Sequence, residues 1–303
     1  MITNKDTFSF SIIIPALNEE KNIGNLLKDI LLQIDFDNSL VEKVVVISDS
    51  SKDKTDEIVA SISKINTVIN FERNDTRLGK SFSLDKVFKK VNTDYVILLD
   101  ADVRLEKNAI RTVIEEVIKS NAELIAGNPV PNTPSSLFNF AEQASLFSWY
   151  LVQAIKENSP KTIYSAHGRF LVLSKSLYKN LDLSKISTPG DDQFIYLSAK
   201  SFEYSKNSIV YYKLPSSFQD YLKQNVRFRY AKTFKTESFA QENTKDYFHV
   251  DNKSFILVKT ILKHPYTFIL WAILYTVGYL LFLKKIILRD CSIKEWGDAK
   301  STK

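Results

Sequence analysis

The stretch YVILLDAD, residues 95–102, decides the fold, because five apolar residues in a row end in two carboxylates one residue apart. An apolar run without polar alternation predicts a central β-strand that is covered on both faces. Asp100 and Asp102 then lie at the carboxyl end of that strand. In open α/β sheets this end is where ligands bind, because successive crossover connections part there and leave a crevice.

Outward from this strand, apolar strands and amphipathic helices alternate four times. The strands are predicted at residues 8–14, 44–47, 68–71 and 95–99. The first helix is predicted to begin at Glu19, with Asn18 as its cap. This order predicts an α/β fold with a Rossmann-like, mostly parallel central sheet, connected by right-handed crossovers and flanked by helices.

Length and composition limit the class of protein. A chain of 303 residues suits one large α/β domain with an appendage. The formal charge of +6 fits phosphate-bearing ligands or anionic lipid, and we expect no nucleic-acid partner. The single cysteine, Cys291, excludes an internal disulfide framework and a cysteine metal cluster. The N-terminus reaches Pro15 before any apolar core long enough for a secretory signal, which predicts a cytosolic catalytic part.

Polar side chains, rather than glycines, follow the predicted strands. The chain contains no G-x-G-x-x-G after its first strand and no G-x-x-x-x-G-K-[ST]. The strand ends carry instead Asn18, Glu19, Asp49, Asp100 and Asp102. Two carboxylates at a strand end suit Mg²⁺ or Mn²⁺, although such a pair also occurs in solvated turns. Lys80 would add positive charge for the phosphates of a bound nucleotide.

A second acidic pair, Asp191 and Asp192, follows Gly190 at a predicted helix start. The helix dipole and the free amides favour carboxylates there, so ordinary capping is one interpretation. If Asp191 is the capping residue, Asp192 is free to accept a proton from a hydroxyl nucleophile. One acidic pair is thus predicted to hold a metal, and the other to supply a base.

Gln224 and Arg227 lie at i and i+3 in a helix-like stretch that is rich in basic and aromatic residues. They share a helix face, from which they could meet a pyrophosphate or the acceptor. The alternative is a basic amphipathic helix on a membrane surface, and the two roles are compatible.

Residues 265–283 contain 19 successive residues without a charge, close to the roughly 20 that cross a bilayer as a helix. We interpret residues 264–289 as a hydrophobic membrane segment, with a buried core helix as the alternative. Lysines flank this segment on both sides, so spanning and re-entrant arrangements both stay open. The expected organisation is a catalytic domain at 1–214, interfacial amphipathic helices at 215–263, the membrane segment, and a polar tail at 290–303.

Six motifs, in order, resemble the family 2 glycosyltransferases of the GT-A fold, especially the membrane-associated branch of cellulose, chitin and hyaluronan synthases. SIIIPALNEE resembles the opening strand and loop, SDSSKDKT the nucleotide-binding loop, LGKSFSLD the G-K segment, and LLDAD the D-x-D strand end. GDDQF is similar to the later E-D motif, and QNVRF to Q-x-x-R-W. The chain departs from these patterns at Phe228, which replaces a tryptophan, and at Asp191, where glutamate is commoner.

The resemblance implies inverting, metal-dependent transfer of a hexose from a nucleotide sugar, in particular a UDP-sugar, to an acceptor hydroxyl. It implies Asp192 as the catalytic base, and Asp100 and Asp102 as ligands of Mg²⁺ or Mn²⁺. The residues implied to bind the nucleotide sugar are Pro15, Asn18, Glu19, Asp49, Lys80, Asp100, Gln224 and Arg227. Candidate acceptor-side residues are His167, Gly168, Asp191 and Phe228, although a packed structural histidine is the preferred interpretation of His167.

One hydrophobic helix cannot enclose a polar polymer path, so we expect single transfer or short extension onto a lipid-linked or membrane-presented glycan acceptor. The expected location is the cell membrane, with the catalytic domain on the cytoplasmic side. The alternatives are a processive polysaccharide synthase subunit whose channel comes from partner chains, and a non-catalytic nucleotide-sugar binding or scaffold protein at the membrane. The donor sugar, the acceptor and the oligomeric state stay open.

Overall fold

The structure, a computed structural model, describes residues 8–34, 40–186, 190–226 and 249–287. Its centre is an eight-stranded mixed sheet of order β3-β2-β1-β4-β7-β6-β8-β5. The strands are β1 (Phe10–Ala16), β2 (Val41–Ser48), β3 (Ile69–Arg73), β4 (Tyr95–Leu99), β5 (Val103–Leu105), β6 (Leu124–Pro131), β7 (Phe170–Ser174) and β8 (Phe202–Tyr212). The helices are α1 (Ile23–Ile34), α2 (Thr55–Ser63), α3 (Lys80–Lys90), α4 (Ala109–Ser120), α5 (Phe140–Asn158), α6 (Lys175–Tyr178), α7 (Asp191–Ser198), α8 (218–226), α9 (Lys253–Lys263) and α10 (Pro265–Ile287).

The four strands predicted from the first hundred residues form the parallel half of the sheet. β1 pairs in parallel with β2 and β4, and β2 pairs in parallel with β3. Crossover helices connect them, as the alternation of strands and helices predicts. The predicted α/β class and Rossmann-like half-sheet are therefore confirmed.

The other half of the sheet is mixed. β7 lies between β4 and β6 and is antiparallel to both, whereas β6 and β8 are parallel. The antiparallel β7 places its start beside the end of β4, because Phe170 pairs with Leu99. The loop that precedes β7 therefore reaches the same sheet edge as the two aspartates of the D-x-D segment.

β4 is buried on both faces, as its unbroken apolar run predicts. Ile97 and Leu99 pack into the core cluster beneath α1 and α4, and Val96 and Leu98 pack into the opposite cluster beneath α3 and α6. Successive side chains of a strand point to opposite faces, so one strand contributes to both layers. Truncation of Leu98 to alanine would cost about 2–5 kcal/mol of stability.

The loop after β1 differs from the prediction that Asn18 caps a helix beginning at Glu19. α1 begins at Ile23, and Asn18 has a positive φ of 55°. The Asn18 side chain accepts a hydrogen bond from the Lys52 amide at 2.8 Å, and the Asn18 amide donates to Ser51 Oγ at 3.1 Å. Asn18 therefore joins the loops after β1 and β2 instead of capping α1.

α10 is the one helix in the described part of the chain that is long and apolar enough to cross a membrane, over Pro265–Leu283. Only 22% of this apolar window is buried within the molecule. α10 packs on α5, where Phe147 contacts Phe268 and Trp271 at ring-centroid distances of 5.2 and 5.3 Å. Length and composition alone are weak grounds for a membrane span.

Candidate active site

The carboxyl ends of β1, β2 and β4 lie at one edge of the sheet, because these strands are parallel. Asp49 directly follows β2, Asp100 directly follows β4, and Lys80 begins α3 after β3. Side chains that are far apart in sequence thus come to one crevice, as expected for an open α/β sheet.

Asp49 organises the start of α3. Its side chain accepts hydrogen bonds at 2.8 Å from the amides of Leu78 and Gly79, and at 3.0 Å from the side-chain amide of Asn74. Gly79 adopts a φ of 92°, a left-handed conformation that favours glycine. Asp49 is 4% exposed, so its carboxylate holds the turn that presents Lys80. Contact between Asp49 and a nucleotide base or ribose stays a prediction.

Lys80 joins the two acidic pairs that the sequence contains. Its Nζ lies 2.7 Å from Asp100 Oδ1 and 3.2 Å from Asp191 Oδ2, and its side chain is 14% exposed. Burial lowers the pKa of Lys80, but the Asp100 and Asp191 carboxylates outweigh this effect, and the pKa is raised above its ordinary value. Lys80 is therefore held as a cation between the D-x-D segment and the start of α7.

Asp192 lies in the same cluster. It contributes to the raised pKa of Lys80. A Cβ built on Gly168 would lie 3.3 Å from Asp192 Cβ and 3.6 Å from Lys80 Nζ, so these three residues meet. The N-cap position of α7 is Gly190, so Asp191 is not the capping residue. Asp191 contacts Lys80, and Asp192 Oδ1 accepts a hydrogen bond from the Gln193 amide at 2.8 Å.

Arg169 is a site residue that the sequence interpretation missed, although it directly follows His167 and Gly168. Its backbone oxygen accepts from the Asp100 amide at 3.2 Å, and its guanidinium lies 3.9 Å from the centre of the Tyr212 ring. In the described part of the chain, Arg169 Nε is buried without a hydrogen-bond partner. The signal available in the sequence was a basic residue, Arg169, directly before the apolar run of residues 170–173.

The Arg169 cation acts on the pKa values of both Asp102 and His167. Burial raises the pKa of Asp102; the Arg169 cation opposes this rise, Asp100 adds to it, and the net shift is upward. Arg169 Nη1 donates to His167 Nε2 at 3.0 Å, since arginine has no acceptor. Burial, and then the cations Arg169, Lys156 and Lys80, lower the pKa of His167 well below its usual range. His167 is therefore neutral at pH 7.

The donor set suits a divalent cation that is held in part by substrate. Asp100 and Asp102 are neighbouring carboxylates, and burial raises the pKa of Asp102, so a cation would stabilise its charged form. Over the residues the structure describes, no group of three or more His, Cys, Asp or Glu side chains could hold an ion. Phosphate oxygens and water would have to complete the coordination shell.

The remaining predicted donor residues are placed less directly. Pro15 lies in β1, and the Glu19 amide donates to Thr55 Oγ1 at 2.7 Å, which ties the first loop to α2. Gln224 lies on α8, and among the described residues no hydrogen bond or ion pair joins it to the acidic cluster. Arg227 and Phe228 lie outside the described residues. The roles of all five in nucleotide or acceptor binding stay predictions.

Comparison with known proteins agrees with the family resemblance found in the sequence motifs. The model of the glycosyl transferase family 2 matches residues 11–181. The 4,4'-diaponeurosporenoate glycosyltransferase of Staphylococcus haemolyticus is 34% identical over 111 residues, which is 36% of this chain and 28% of that protein. The chain spans between about a quarter and about half of the length of the curated relatives it matches.

Two solved structures share the fold. S. aureus TarS 1-349 in complex with UDP-GlcNAc has a TM-score of 0.52 and 16% identity, covering 91% of this chain and 92% of that one. The mannosyltransferase PcManGT from Pyrobaculum calidifontis, in complex with GDP-Man and Mn²⁺, has a TM-score of 0.60 and 13% identity, covering 95% and 82%. At these identities the likeness shows the fold alone.

Proposed function

Since the chain belongs to the glycosyl transferase family 2, we propose that it moves a sugar from a UDP-sugar to the hydroxyl of a lipid-linked or membrane-presented acceptor, with inversion. The observation that carries the proposal is the meeting of Lys80, Asp100, Asp191 and Asp192 at the carboxyl edge of the sheet. A protein that only binds a nucleotide needs no carboxylate beside the reacting sugar, so this cluster favours an enzyme.

The donor end of the proposed site is built from β2, β4 and α3. Asp49 holds the turn at Gly79 and so orients Lys80, whose ammonium group can contact the diphosphate of the donor. Asp100 and Asp102 would hold Mg²⁺ or Mn²⁺. When bound, that cation offsets the negative charge that develops on the leaving diphosphate.

The acceptor end is built from α7 and the loop before β7. In the proposed step, the acceptor oxygen bonds to the anomeric carbon as the bond from that carbon to the β-phosphate oxygen breaks. UDP leaves with the bonding electron pair, and the hydroxyl proton passes to the Asp192 carboxylate. A Cβ at position 168 would lie 3.3 Å from Asp192 Cβ, so a side chain there would require Asp192 to shift slightly.

The choice of UDP is supported by TarS, whose structure contains UDP-GlcNAc, although another fold neighbour contains GDP-Man. The membrane part of the proposal is supported by the apolar α10. We keep the catalytic unit at 1–214, the interfacial helices at 215–263, the membrane segment at 264–289 and the tail at 290–303, with the catalytic unit on the cytoplasmic side of the cell membrane.

The test is to incubate membranes containing the full chain with UDP- and GDP-sugars and extracted lipids, with Mn²⁺ or with EDTA, and to identify products by mass. We expect one UDP-sugar to yield a lipid product that is one sugar heavier, and EDTA to abolish it. Absence of transfer from every donor, with UDP still bound, would support the non-catalytic alternative. Long products from purified protein alone would support the processive alternative.

Asp102→Asn tests the proposed cation site. We expect the Mn²⁺-dependent gain in UDP affinity to fall by about 10–100-fold, because the substitution removes a charged oxygen donor. Titration calorimetry of UDP with and without Mn²⁺ measures this gain. Asp182→Asn, remote from the sheet edge, is the control and should leave it unchanged. An unchanged gain in the Asp102 variant would remove Asp102 from the cation site.

A further inference from the structure

α10 packs on α5 and α8 along most of its length. Its buried residues are Thr267, Leu274, Gly278 and Phe282, which recur on one helix face. From the first to the last of them the helix rises about 22 Å. Leu274 packs with Ala144 of α5 and Tyr221 of α8, and a Cβ at Gly278 would lie 3.6 Å from Asn225 of α8.

The opposite face of α10 is apolar and unpartnered in the described part of the chain. Ile269, Ile273 and Leu280 are 55%, 54% and 60% exposed and lie on that face. An apolar environment that covered these side chains would remove apolar surface from water, which is favourable. A helix that is apolar all round but packed on one side only lacks a partner for its other side.

Two more segments add exposed apolar side chains where α10 begins. Leu137 and Phe138, in the loop before α5, are 70% and 81% exposed, and the Tyr266 hydroxyl donates to the Leu137 oxygen at 2.7 Å. α9 exposes Phe255, Val258 and Leu262 at i, i+3 and i+7, one helical stripe. Leu137 and the α9–α10 junction also line one cavity of about 540 Å³, so these segments are neighbours.

The exposed apolar side chains of residues 137–140, α9 and α10 are here named the apolar face. Lysines lie at its margin. Lys259 and Lys263 of α9 flank its stripe, and α10 contains no charged residue between Pro265 and Leu283. An apolar surface with lysines at its margin is typical of helices that lie in a membrane interface and contact anionic head groups.

A spanning arrangement conflicts with how α10 is packed. If α10 crossed the roughly 30 Å hydrocarbon core, the parts of α5 and α8 that pack on it would have to enter the core with it. α8 carries Lys223, whose side chain is 48% exposed and lies 3.5 Å from the carboxylate of the buried Asp220. A charged side chain that faces lipid at that depth is costly.

We propose that α10 lies in the plane of the membrane interface, with its packed face on α5 and α8 and its Ile269–Ile273–Leu280 face in the lipid. The protein is then attached to one leaflet through the apolar face and does not cross the bilayer. This goes beyond the proposed function, which needs a membrane-presented acceptor but no particular mode of attachment.

Cys291 provides a direct test of topology, because it is the one cysteine of the chain and follows α10. The full chain is labelled with a membrane-impermeant maleimide in intact cells and in sealed inverted vesicles. The reference is Cys291→Ser combined with Lys119→Cys on exposed α4 of the catalytic domain. Ser301→Cys in the Cys291→Ser background supplies a second reporter in the tail.

We expect both tail reporters to be labelled from the same side of the membrane as position 119. Labelling of the tail from the opposite side would overturn the proposal, because α10 would then span. Labelling of both tail reporters only after detergent is added would overturn it as well.

Vesicle flotation tests which surface attaches. We expect Ile273→Lys to weaken binding to phosphatidylcholine vesicles containing phosphatidylglycerol by about tenfold or more. The matched control is Ile65→Lys, at an 84% exposed isoleucine after α2. Equal flotation of Ile273→Lys and the wild type would overturn the proposal. The proposal would also be overturned if the wild-type protein did not float and formed a dimer that Ile273→Lys disrupts, since a second copy would then cover the apolar face.

UDP binding is measured on the same preparations. The vesicles contain no acceptor, so flotation and labelling can fail while transfer succeeds, and transfer can fail while attachment holds. Failure of the attachment is therefore distinguishable from failure of the proposed function.

Discussion

Lys80 and Lys156 are both withdrawn from solvent, but the regions around them have opposite electrostatic character. Lys80 contacts the carboxylates of Asp100 and Asp191, and its pKa is raised. Lys156, on α5, is 3% exposed and has no acidic partner in the described residues, and burial lowers its pKa to about 8. Its Nζ lies 4.7 Å from the centre of the Tyr204 ring.

The difference shows what each region is organised to do. Around Lys80, charges are compensated in the free protein, so a diphosphate can exchange with carboxylates for the same cation. Around Lys156, positive charge is left without a carboxylate partner in the described part of the chain, whereas the Arg169 cation acts on the Asp102 carboxylate. The four variants below perturb one region at a time, from the largest expected effect to the smallest.

Asp192→Asn acts on the acidic side of the comparison. We expect transfer to fall by about 10²–10⁴-fold, because an amide cannot accept the hydroxyl proton, while UDP affinity is kept. Radiolabelled sugar transfer and calorimetry measure the two quantities. Glu57→Gln is the control, because it also removes a carboxylate from the first turn of a helix, here α2. It should leave transfer and UDP affinity unchanged. Normal transfer by Asp192→Asn would show that the base assignment is wrong.

Lys80→Met removes the cation that compensates the acidic cluster. We expect UDP affinity to fall by about 30–100-fold, because the diphosphate loses a cation and Asp100 and Asp191 are left as neighbouring anions. Lys90→Met, on the same helix as Lys80, serves as the control. It breaks an exposed ion pair with Glu72 of β3. If both variants bind UDP equally well, Lys80 does not contact the donor.

Lys156→Met acts on the other region and should stabilise the fold at pH 7. The folded state lowers the pKa of Lys156 from 10.5 to about 8, so the unfolded chain binds more protons between those values. The free energy of unfolding therefore rises with pH across that window, and at pH 7 the charged lysine costs on the order of 2–3 kcal/mol.

The measurement is denaturant unfolding of Lys156→Met and the wild type at pH 7 and pH 9.5. The variant should be more stable at pH 7, and its advantage should shrink at pH 9.5 as the wild-type lysine loses its proton. Lys119→Met, at an exposed site on α4, should show no such trend. A variant that is less stable at pH 7 would mean that the Lys156 charge is compensated in the folded protein.

Arg169→Lys keeps a positive charge but removes the planar group that lies over Tyr212. We expect a rise of about threefold in the KM for the acceptor, with kcat nearly unchanged, because stacking of this kind is worth about 0.5–1 kcal/mol. Steady-state transfer kinetics separate the two constants. Arg111→Lys, in an exposed pair with Glu115, is the control. A fall in kcat alone would place Arg169 nearer the reacting atoms.

The parallel half of the fold could be predicted because its signals are local. β4 is an unbroken apolar run, and α1 buries Ile23, Leu26, Leu27 and Ile30 as its helical spacing predicts. The start of α1 could not be predicted, because the Asn18 side chain accepts a hydrogen bond from the loop after β2 instead of capping a helix. Arg169 was missed for a similar reason, since its neighbours Asp100 and Tyr212 are distant in sequence.

By itself, the sequence determined which residues carry charge at the strand ends and which segments are apolar, because hydrophobic periodicity and strand-end chemistry are written in neighbouring residues. Only the tertiary structure decided that Lys80 bridges Asp100 and Asp191, and that Gly168 packs on Asp192. It also decided that β7 runs antiparallel to β4 and that one face of α10 is covered by α5 and α8. These contacts depend on the order and direction of strands, which are set by how whole segments exclude water together and not by any one stretch of chain.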